Sequence, residues 1–118
     1  YHGNVDQKTL ANEMASSEVW LYTANFIETF CITALEALAC RCYPVTRPIG
    51  ALNDTLAQAK LMGQADILDL ETSEEMIPVW AKAVTDAIEL RKWQDITYDI
   101  SKHSWESVAQ EWVKEMDL

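Results

Sequence analysis

The sequence predicts an α/β fold in which a parallel β-sheet is flanked by helices on both faces. Short β-prone runs, VWLYT, YPVT and ADILDL, alternate with segments of helical periodicity. This alternation is typical of parallel sheets, because each crossover helix returns the chain to the same end of the sheet. The length of 118 residues suits one domain, and an apolar content of 49% suits a packed core.

Three strands are predicted, at Val19–Thr23, Tyr43–Thr46 and Ala65–Leu70. Tyr1–Gly3 has the pattern of a strand end, which makes a sheet of about four strands, a common size. Because a strand end stands at the first residues, we expect this chain to start in the middle of a fold, with further strands upstream.

Five helices are predicted around these strands, and Asp6 is the expected cap of the first. Their ranges are Gln7–Ser16, Ile32–Cys40, Leu52–Lys60, a long helix from a cap at Thr72 or Ser73 to Arg91, and Ser104–Met116. Apolar stripes along the last two helices predict core or docking surfaces rather than a cofactor site. The stripe residues are Ile77, Trp80, Val84 and Ile88, and then Trp105, Val108, Trp112 and Met116.

Composition excludes several classes of function. The net charge of −10 opposes nucleic-acid binding, which needs clustered cations. No apolar run is long enough for a transmembrane segment, and no signal-peptide pattern opens the chain. Cys31, Cys40 and Cys42 lack a nearby fourth ligand for zinc, so we expect reduced core thiols and a cytoplasmic location.

Two carboxylates interrupt the apolar segment FIETFCITALEALA, with seven residues between them. Glu28 is expected in the loop before the second helix, and Glu36 inside that helix. Helical spacing groups Glu36 with Thr33 and Cys40 on one face. A different face, expected to turn toward the sheet, carries Ile32, Leu35 and Ala39. Glu36 therefore need not lie in the dry core.

The start of this helix suits an anion, because the N–H groups of Phe30 to Thr33 have no acceptor within the helix. A carboxylate one or two turns further, such as Glu36, suits a vicinal diol, since its two oxygens accept from two hydroxyls. Together these features outline a nucleoside diphosphate with its ribose. The same residues also permit a simpler interpretation, in which Glu28 is solvated and Glu36 pairs with an arginine.

The segment ETFCITALEALACRCYPV resembles the E-x7-E signature of retaining glycosyltransferases of the GT-B fold, in their C-terminal, donor-binding domain. The similarity extends over nearly the whole chain, through YHGNV, SSEVWLYTANFIETF, EALACRCYPVTRPIGAL and SWESVAQEW. It implies a Rossmann-like sheet that forms the C-terminal half of a GT-B fold. Residues 1–118 would then be a partial nucleotide-sugar-binding domain, with the remaining strands and the N-terminal acceptor-binding domain upstream.

The resemblance also implies roles for individual residues. Glu28 matches the first Glu of the motif, a catalytic-site residue near the donor sugar and its phosphate, and Glu36 matches the second, which binds the ribose hydroxyls. The positions that match the loop around the donor sugar and diphosphate are Thr29, Phe30, Cys31, Ile32 and Thr33.

The implied activity is transfer of a hexosyl group, with retained configuration, from a nucleotide sugar to an acceptor hydroxyl. The donor would be a UDP-, GDP- or ADP-sugar, with no metal and no cofactor. The isolated chain is expected to be inactive, because the acceptor-binding domain and the basic pair that clamps the diphosphate belong upstream. An alternative is a catalytically silent nucleotide-binding or interaction domain of the same fold, which the sequence upstream of Tyr1 would distinguish.

One departure from the family pattern bears on the backbone. Arg41 stands where glycine is usual, in the turn between the helix and the next strand. If that turn needs a positive φ, the arginine side chain strains it. No arginine or lysine in the chain convincingly replaces the missing basic pair, and Arg47 is the only nearby candidate.

Overall fold

The computed structural model describes residues 1–116 and has a three-stranded parallel sheet flanked by helices. The strands are β1 (Val19–Tyr22), β2 (Tyr43–Thr46) and β3 (Asp66–Ile67), in the order β1-β2-β3. The central strand β2 is buried along its whole length, and Val19 of β1 lies opposite Tyr43. The predicted α/β class and the parallel sheet are confirmed, and the architecture is compatible with a Rossmann-like fold.

Six α-helices surround this sheet within the described residues. They are α1 (Gln7–Ala15), α2 (Ile32–Ala39), α3 (Leu52–Thr55), α4 (Ala57–Leu61), α5 (Ile77–Glu89) and α6 (Trp105–Glu115). Short 3-10 turns occupy Glu74–Met76, Lys92–Asp95 and Ile100–His103. Asp6 caps α1 as predicted, since its carboxylate accepts from the backbone N–H of Thr9 at 2.7 Å.

The elements differ from the predictions mainly where they end. The third strand has two residues, not the six of Ala65–Leu70, and Tyr1–Gly3 pairs with no strand among residues 1–116. The helix predicted at Leu52–Lys60 is divided into α3 and α4, because Leu56 has φ −100° and ψ 3°, outside the helical region. Ser73 precedes a 3-10 turn that leads into α5, and its side chain makes no capping hydrogen bond.

The core lies between the sheet and the helices packed on it. Its members include Leu35, Leu38, Tyr43, Val45, Leu52, Leu56, Trp80 and Tyr98. A buried amide connects the later part of the chain to this core. The Gln64 side-chain oxygen accepts from the N–H groups of Thr97 and Tyr98 at 3.0 and 2.9 Å, and its nitrogen donates to the Thr97 hydroxyl at 2.9 Å. Because Gln64 is buried, these hydrogen bonds satisfy its polar atoms.

The predicted apolar stripes on α5 and α6 are buried to different extents in the structure. Of the stripe on α5, Trp80 is buried in the core, while Ile77 and Ile88 are exposed. On α6 both tryptophans, Trp105 and Trp112, are exposed. None of the helices within residues 1–116 combines the length and apolarity that a bilayer crossing requires.

Arg41 has a φ of 56°, so this turn does need a positive φ, a conformation that is unfavourable for an arginine side chain. Its N–H donates to the carbonyl of Leu38, in the turn that ends α2. We predict that Arg41→Gly raises the free energy of unfolding by about 1 kcal/mol, because glycine adopts a left-handed backbone without the steric penalty. Urea unfolding followed by circular dichroism measures the change. Arg41→Lys keeps the charge and the strain, and equal stability of the two variants would contradict this explanation.

Candidate functional site

The candidate site lies at the carboxyl end of β1, where the chain loops from Thr23 to Cys31 and then begins α2. In open parallel sheets this edge is the usual place for ligands, because the loops there lead into helix N-termini. Glu28 lies in the loop and Glu36 lies in α2, as predicted.

Glu28 is fixed by its side chain and by its backbone. The Tyr22 hydroxyl donates to Glu28 Oε1, and the backbone N–H of Ala51 donates to the Glu28 carbonyl at 2.8 Å. The hydrogen bond to Glu28, together with burial and the nearby negative charge, raises the pKa of Tyr22 to about 12. Tyr22 therefore stays protonated and keeps donating throughout the neutral pH range.

Gly50 allows the backbone of Glu28 to pack closely against the turn that precedes α3. Its φ is 58°, and a Cβ atom built there would lie 2.2 Å from the Glu28 carbonyl oxygen and 2.7 Å from the Glu28 nitrogen. No side chain fits in that space without moving the backbone of Glu28. The position of Glu28 thus depends on a glycine more than twenty residues later in the chain.

A second anchor holds the end of the loop. The buried Thr55 hydroxyl, on α3, donates to the Phe30 carbonyl at 2.5 Å. Cys31, the N-cap of α2, has the left-handed values φ 61° and ψ 71° and makes no side-chain capping bond. Burial raises the pKa of the Cys31 thiol, and the charges of Glu28 and Glu36 raise it further. The thiol is therefore neutral, and it is half-buried rather than part of the core.

The start of α2 presents backbone donors without acceptors. Among residues 1–116, the N–H groups of Phe30 to Thr33 make no hydrogen bond, and the first one used is that of Ala34, which donates to the Cys31 carbonyl at 3.1 Å. Thr29, Phe30 and Ile32 are exposed and Thr33 is half-buried, so the helix start lies at the surface of the molecule. The structure thus brings the predicted loop positions together around one helix start.

Glu36 is half-buried and, within the described part of the chain, its carboxylate has no hydrogen-bond or ion-pair partner. It borders a cavity of about 120 Å³ toward α1 and a groove of about 540 Å³ toward α6. The groove is mostly apolar, with Phe30, Ile32, Leu35, His103, Trp105 and Val108 among its lining residues. The interpretation in which Glu36 pairs with an arginine therefore finds no support.

The face of α2 that turns to the core differs in part from the prediction. Thr33, Glu36 and Cys40 do share a half-buried face. Leu35 is buried as expected, but Ile32 and Ala39 are exposed, so their assignment to the sheet side was wrong. The core-facing residues are Ala34, Leu35, Ala37 and Leu38. Ala34 and Ala37 are fully buried, since small side chains let the helix pack closely on its neighbours.

Arg47 connects the loops that follow the strands. Its Nη1 donates to Asn25 Oδ1 and to the Thr72 hydroxyl, the latter at 3.1 Å, and its buried Nε has no hydrogen-bond partner among residues 1–116. Thr72 also donates to the Thr23 carbonyl at 3.0 Å. Sequence reasoning missed the roles of Tyr22, Gly50 and Thr55. Only Gly50 had a local signal, the Gly-Ala-Leu turn.

Comparisons of the chain with protein-family models, with curated proteins and with solved structures find no match. In residues 1–116 no group of three His, Cys, Asp or Glu side chains is arranged to hold a metal ion, and independence from metal stays a prediction. The class of this protein therefore rests on its architecture and site geometry alone. It is an α/β domain in which an anchored loop leads into the start of a helix.

Proposed function

We propose that this chain is the donor-binding domain of a retaining glycosyltransferase of the GT-B fold. It would bind a nucleotide sugar and, together with an acceptor-binding domain, transfer the sugar to an acceptor hydroxyl. The proposal rests on one observation. Unbonded N–H groups at the start of α2 and the partnerless carboxylate of Glu36 lie on the same helix, one turn apart.

The helix start supports binding of the diphosphate. The N–H groups of Phe30 to Thr33 make no hydrogen bond within residues 1–116, and the helix dipole adds a positive potential where they point. The leaving group in sugar transfer is a nucleoside diphosphate, so stabilising its developing negative charge is a main task of the site. The left-handed Cys31 turns the loop into the helix at this point.

Glu36 supports binding of the ribose. It follows Thr33 by three residues, an axial rise of about 4.5 Å, so it lies within one turn of the helix start. Two carboxylate oxygens accept from two vicinal hydroxyls, and hydrogen bonds to a charged acceptor are the stronger kind. A partnerless carboxylate suits this role, because no internal hydrogen bond has to break first.

Glu28 is proposed to position the donor sugar. The neutral Tyr22 hydroxyl and the Ala51 N–H hold it, so its remaining oxygen lone pairs can accept from sugar hydroxyls. The proposed donor is a UDP-, GDP- or ADP-hexose, the proposed reaction needs no metal or cofactor, and the proposed location is the cytoplasm.

The alternative is a catalytically silent nucleotide-binding or interaction domain, and one observation favours it. Arg47, the one nearby candidate to neutralise the diphosphate, already donates its Nη1 to Asn25 and Thr72. Transfer assayed in the presence of an acceptor-binding domain separates the two. Transfer with retained configuration supports the enzyme, whereas nucleotide binding without transfer supports the silent domain.

Nucleotide titration followed by amide NMR tests the proposed site. We expect UDP, GDP or ADP to shift the resonances of Phe30 to Thr33 and of α2 around Glu36. Inorganic pyrophosphate should shift only the first group, because it has no ribose. Shifts confined to other parts of the chain would refute the site, even if the nucleotide binds.

A further inference from the structure

The mostly apolar groove of about 540 Å³ lies between the start of α2 and the start of α6, and Glu36 is one of its lining residues. On the α2 side it is lined by Phe30 and Ile32, and on the α6 side by His103 and Trp105. Ile32 and Glu36 are four residues apart, so they lie on the same side of α2. The groove therefore begins at the carboxylate that is proposed to bind the ribose.

Three aromatic side chains line this groove. Phe30 is 42% exposed and Trp105 is 90% exposed, so much of each ring is accessible to a ligand. The ring of His103 packs against Phe30, with centroids 5.9 Å apart and an interplanar angle of 67°, and its Nε2 shares a hydrogen bond of 3.1 Å with the Tyr98 hydroxyl. Burial and the nearby charge of Lys102 lower the pKa of His103, so its ring is uncharged at neutral pH. Such a lining suits a flat ring, because aromatic rings stack on one another.

The serine side chains of the groove already donate their hydroxyl protons within the protein. Ser101 Oγ donates to Asp99 Oδ2 at 2.8 Å, and Ser104 Oγ donates to Ser107 Oγ at 3.0 Å. A sugar, with hydroxyl groups on all sides, would therefore find few hydrogen-bond partners here beyond Glu36. A flat ring with apolar faces needs no such partners and can stack on the aromatic side chains.

The second space beside Glu36 does not suit a ring of this kind. It is the cavity of about 120 Å³ toward α1, which Leu10, Met14 and Cys40 help to line, and none of its lining residues within residues 1–116 is aromatic. Ligand pockets commonly have volumes of about 300–1,000 Å³, a range that includes the groove and excludes this cavity. A base attached to a ribose at Glu36 therefore has room on the α6 side of the helix.

We propose that this groove binds the base of the nucleotide, that the base stacks on Phe30 and Trp105, and that it is a purine. The inference rests on the proposed function, because it takes the ribose to lie at Glu36. Stacking on aromatic side chains does not require hydrogen bonds to the edge of the base, so adenine and guanine both fit. The two fused rings of a purine cover more aromatic surface than the single ring of a pyrimidine. The donor is then an ADP- or GDP-hexose rather than a UDP-hexose.

The test compares ADP, GDP and UDP with ribose 5-phosphate, which has the sugar and a phosphate but no base. Binding to the chain is followed by NMR, and the Kd values are measured by calorimetry. We expect ADP and GDP to shift the indole N–H resonance of Trp105 and to bind several-fold more tightly than UDP, whereas ribose 5-phosphate leaves this resonance unchanged. Trp105→Ala should weaken ADP binding by about ten-fold, as for the loss of one stacking side chain, and leave the affinity for ribose 5-phosphate within about two-fold.

The matched control is Trp112→Ala, because Trp112 is on the same helix and 65% exposed but does not line the groove. It should leave the ADP affinity within about two-fold. Equal losses in the two variants would indicate a general effect on α6 and would overturn the base site. Since both tryptophans are largely exposed, neither substitution threatens the fold.

The remaining outcomes separate the base site from the proposed function. If ADP shifts the amides of Phe30 to Thr33 and of Glu36 but Trp105→Ala has no effect, the base lies elsewhere and the proposed function stands. UDP binding as tight as that of ADP would overturn the purine assignment. Octanol that shifts Trp105 where ADP does not would assign the groove to an apolar acceptor instead. If no ligand shifts α2, the proposed function is refuted and the base site with it.

Discussion

Glu36→Gln weakens the binding of UDP, GDP or ADP by about 1.5–3 kcal/mol, a factor of about ten to one hundred and fifty in Kd. The reason is the loss of charge-assisted hydrogen bonds to the ribose hydroxyls. The sign of the effect is informative, because a nucleoside diphosphate is itself an anion. If Glu36 were only a nearby charge, its neutralisation would remove a repulsion and tighten binding. Isothermal titration calorimetry measures the change.

The control for this prediction is Glu89→Gln, at the end of α5, where the carboxylate is exposed. It removes one negative charge without touching α2, so its nucleotide affinity should match that of the unchanged chain or be slightly higher. A Glu36→Gln protein with a native amide spectrum and unchanged or tighter binding would disprove the ribose role. That result would leave the proposed anion site to be judged by the pyrophosphate titration alone.

Gly50→Ala displaces the Glu28 loop and lowers the free energy of unfolding by about 3 kcal/mol. Two effects add at this position. The left-handed φ of 58° is unfavourable for alanine, and the new Cβ would lie 2.2 Å from the Glu28 carbonyl oxygen. Because that atom belongs to the backbone, a side-chain rotation does not relieve the overlap. Urea unfolding gives the stability, and the amide shifts of Glu28 and Ala51 report the displacement.

Gly63→Ala is the matched control, because Gly63 has a φ of 70° and no atom within 4 Å of its added Cβ. It experiences the backbone strain without the overlap, so we expect a loss of about 1 kcal/mol and no shift of Glu28. The difference between the two variants isolates the contact of Gly50 with Glu28. Equal losses in both would show that this contact does not determine the position of the loop.

The order and class of the elements were predictable from the sequence, because they depend on local patterns. The apolar runs of β1 and β2 and the cap at Asp6 each lie within a few residues of the structure they specify. The loop position of Glu28 and the helical position of Glu36 followed from the same local signals. Arg41 was singled out in the same way, from its place in the turn between α2 and β2, and its φ is positive.

The contacts that hold the site were not predictable in this way. Gly50 and Thr55 contact Glu28 and Phe30 across more than twenty residues of chain, and no periodicity relates such positions. In α2, the burial of Ile32 was likewise not predictable from the sequence. An apolar residue at helical spacing from Leu35 was expected at the sheet and is instead 64% exposed. Which arc of an apolar helix becomes buried depends on how closely it packs on its neighbours.

The sequence by itself determined the α/β class, the alternation of strands and helices, and the place of both carboxylates around the start of α2. Only the tertiary structure decided the extent of β3, the buried face of α2, the anchoring of the loop by Gly50 and Thr55, and the exposure of the α6 tryptophans. The physical reason is the range of the interactions. Backbone conformation and capping depend on neighbours along the chain, whereas burial and loop anchoring depend on residues that meet only when the sheet and its helices pack together.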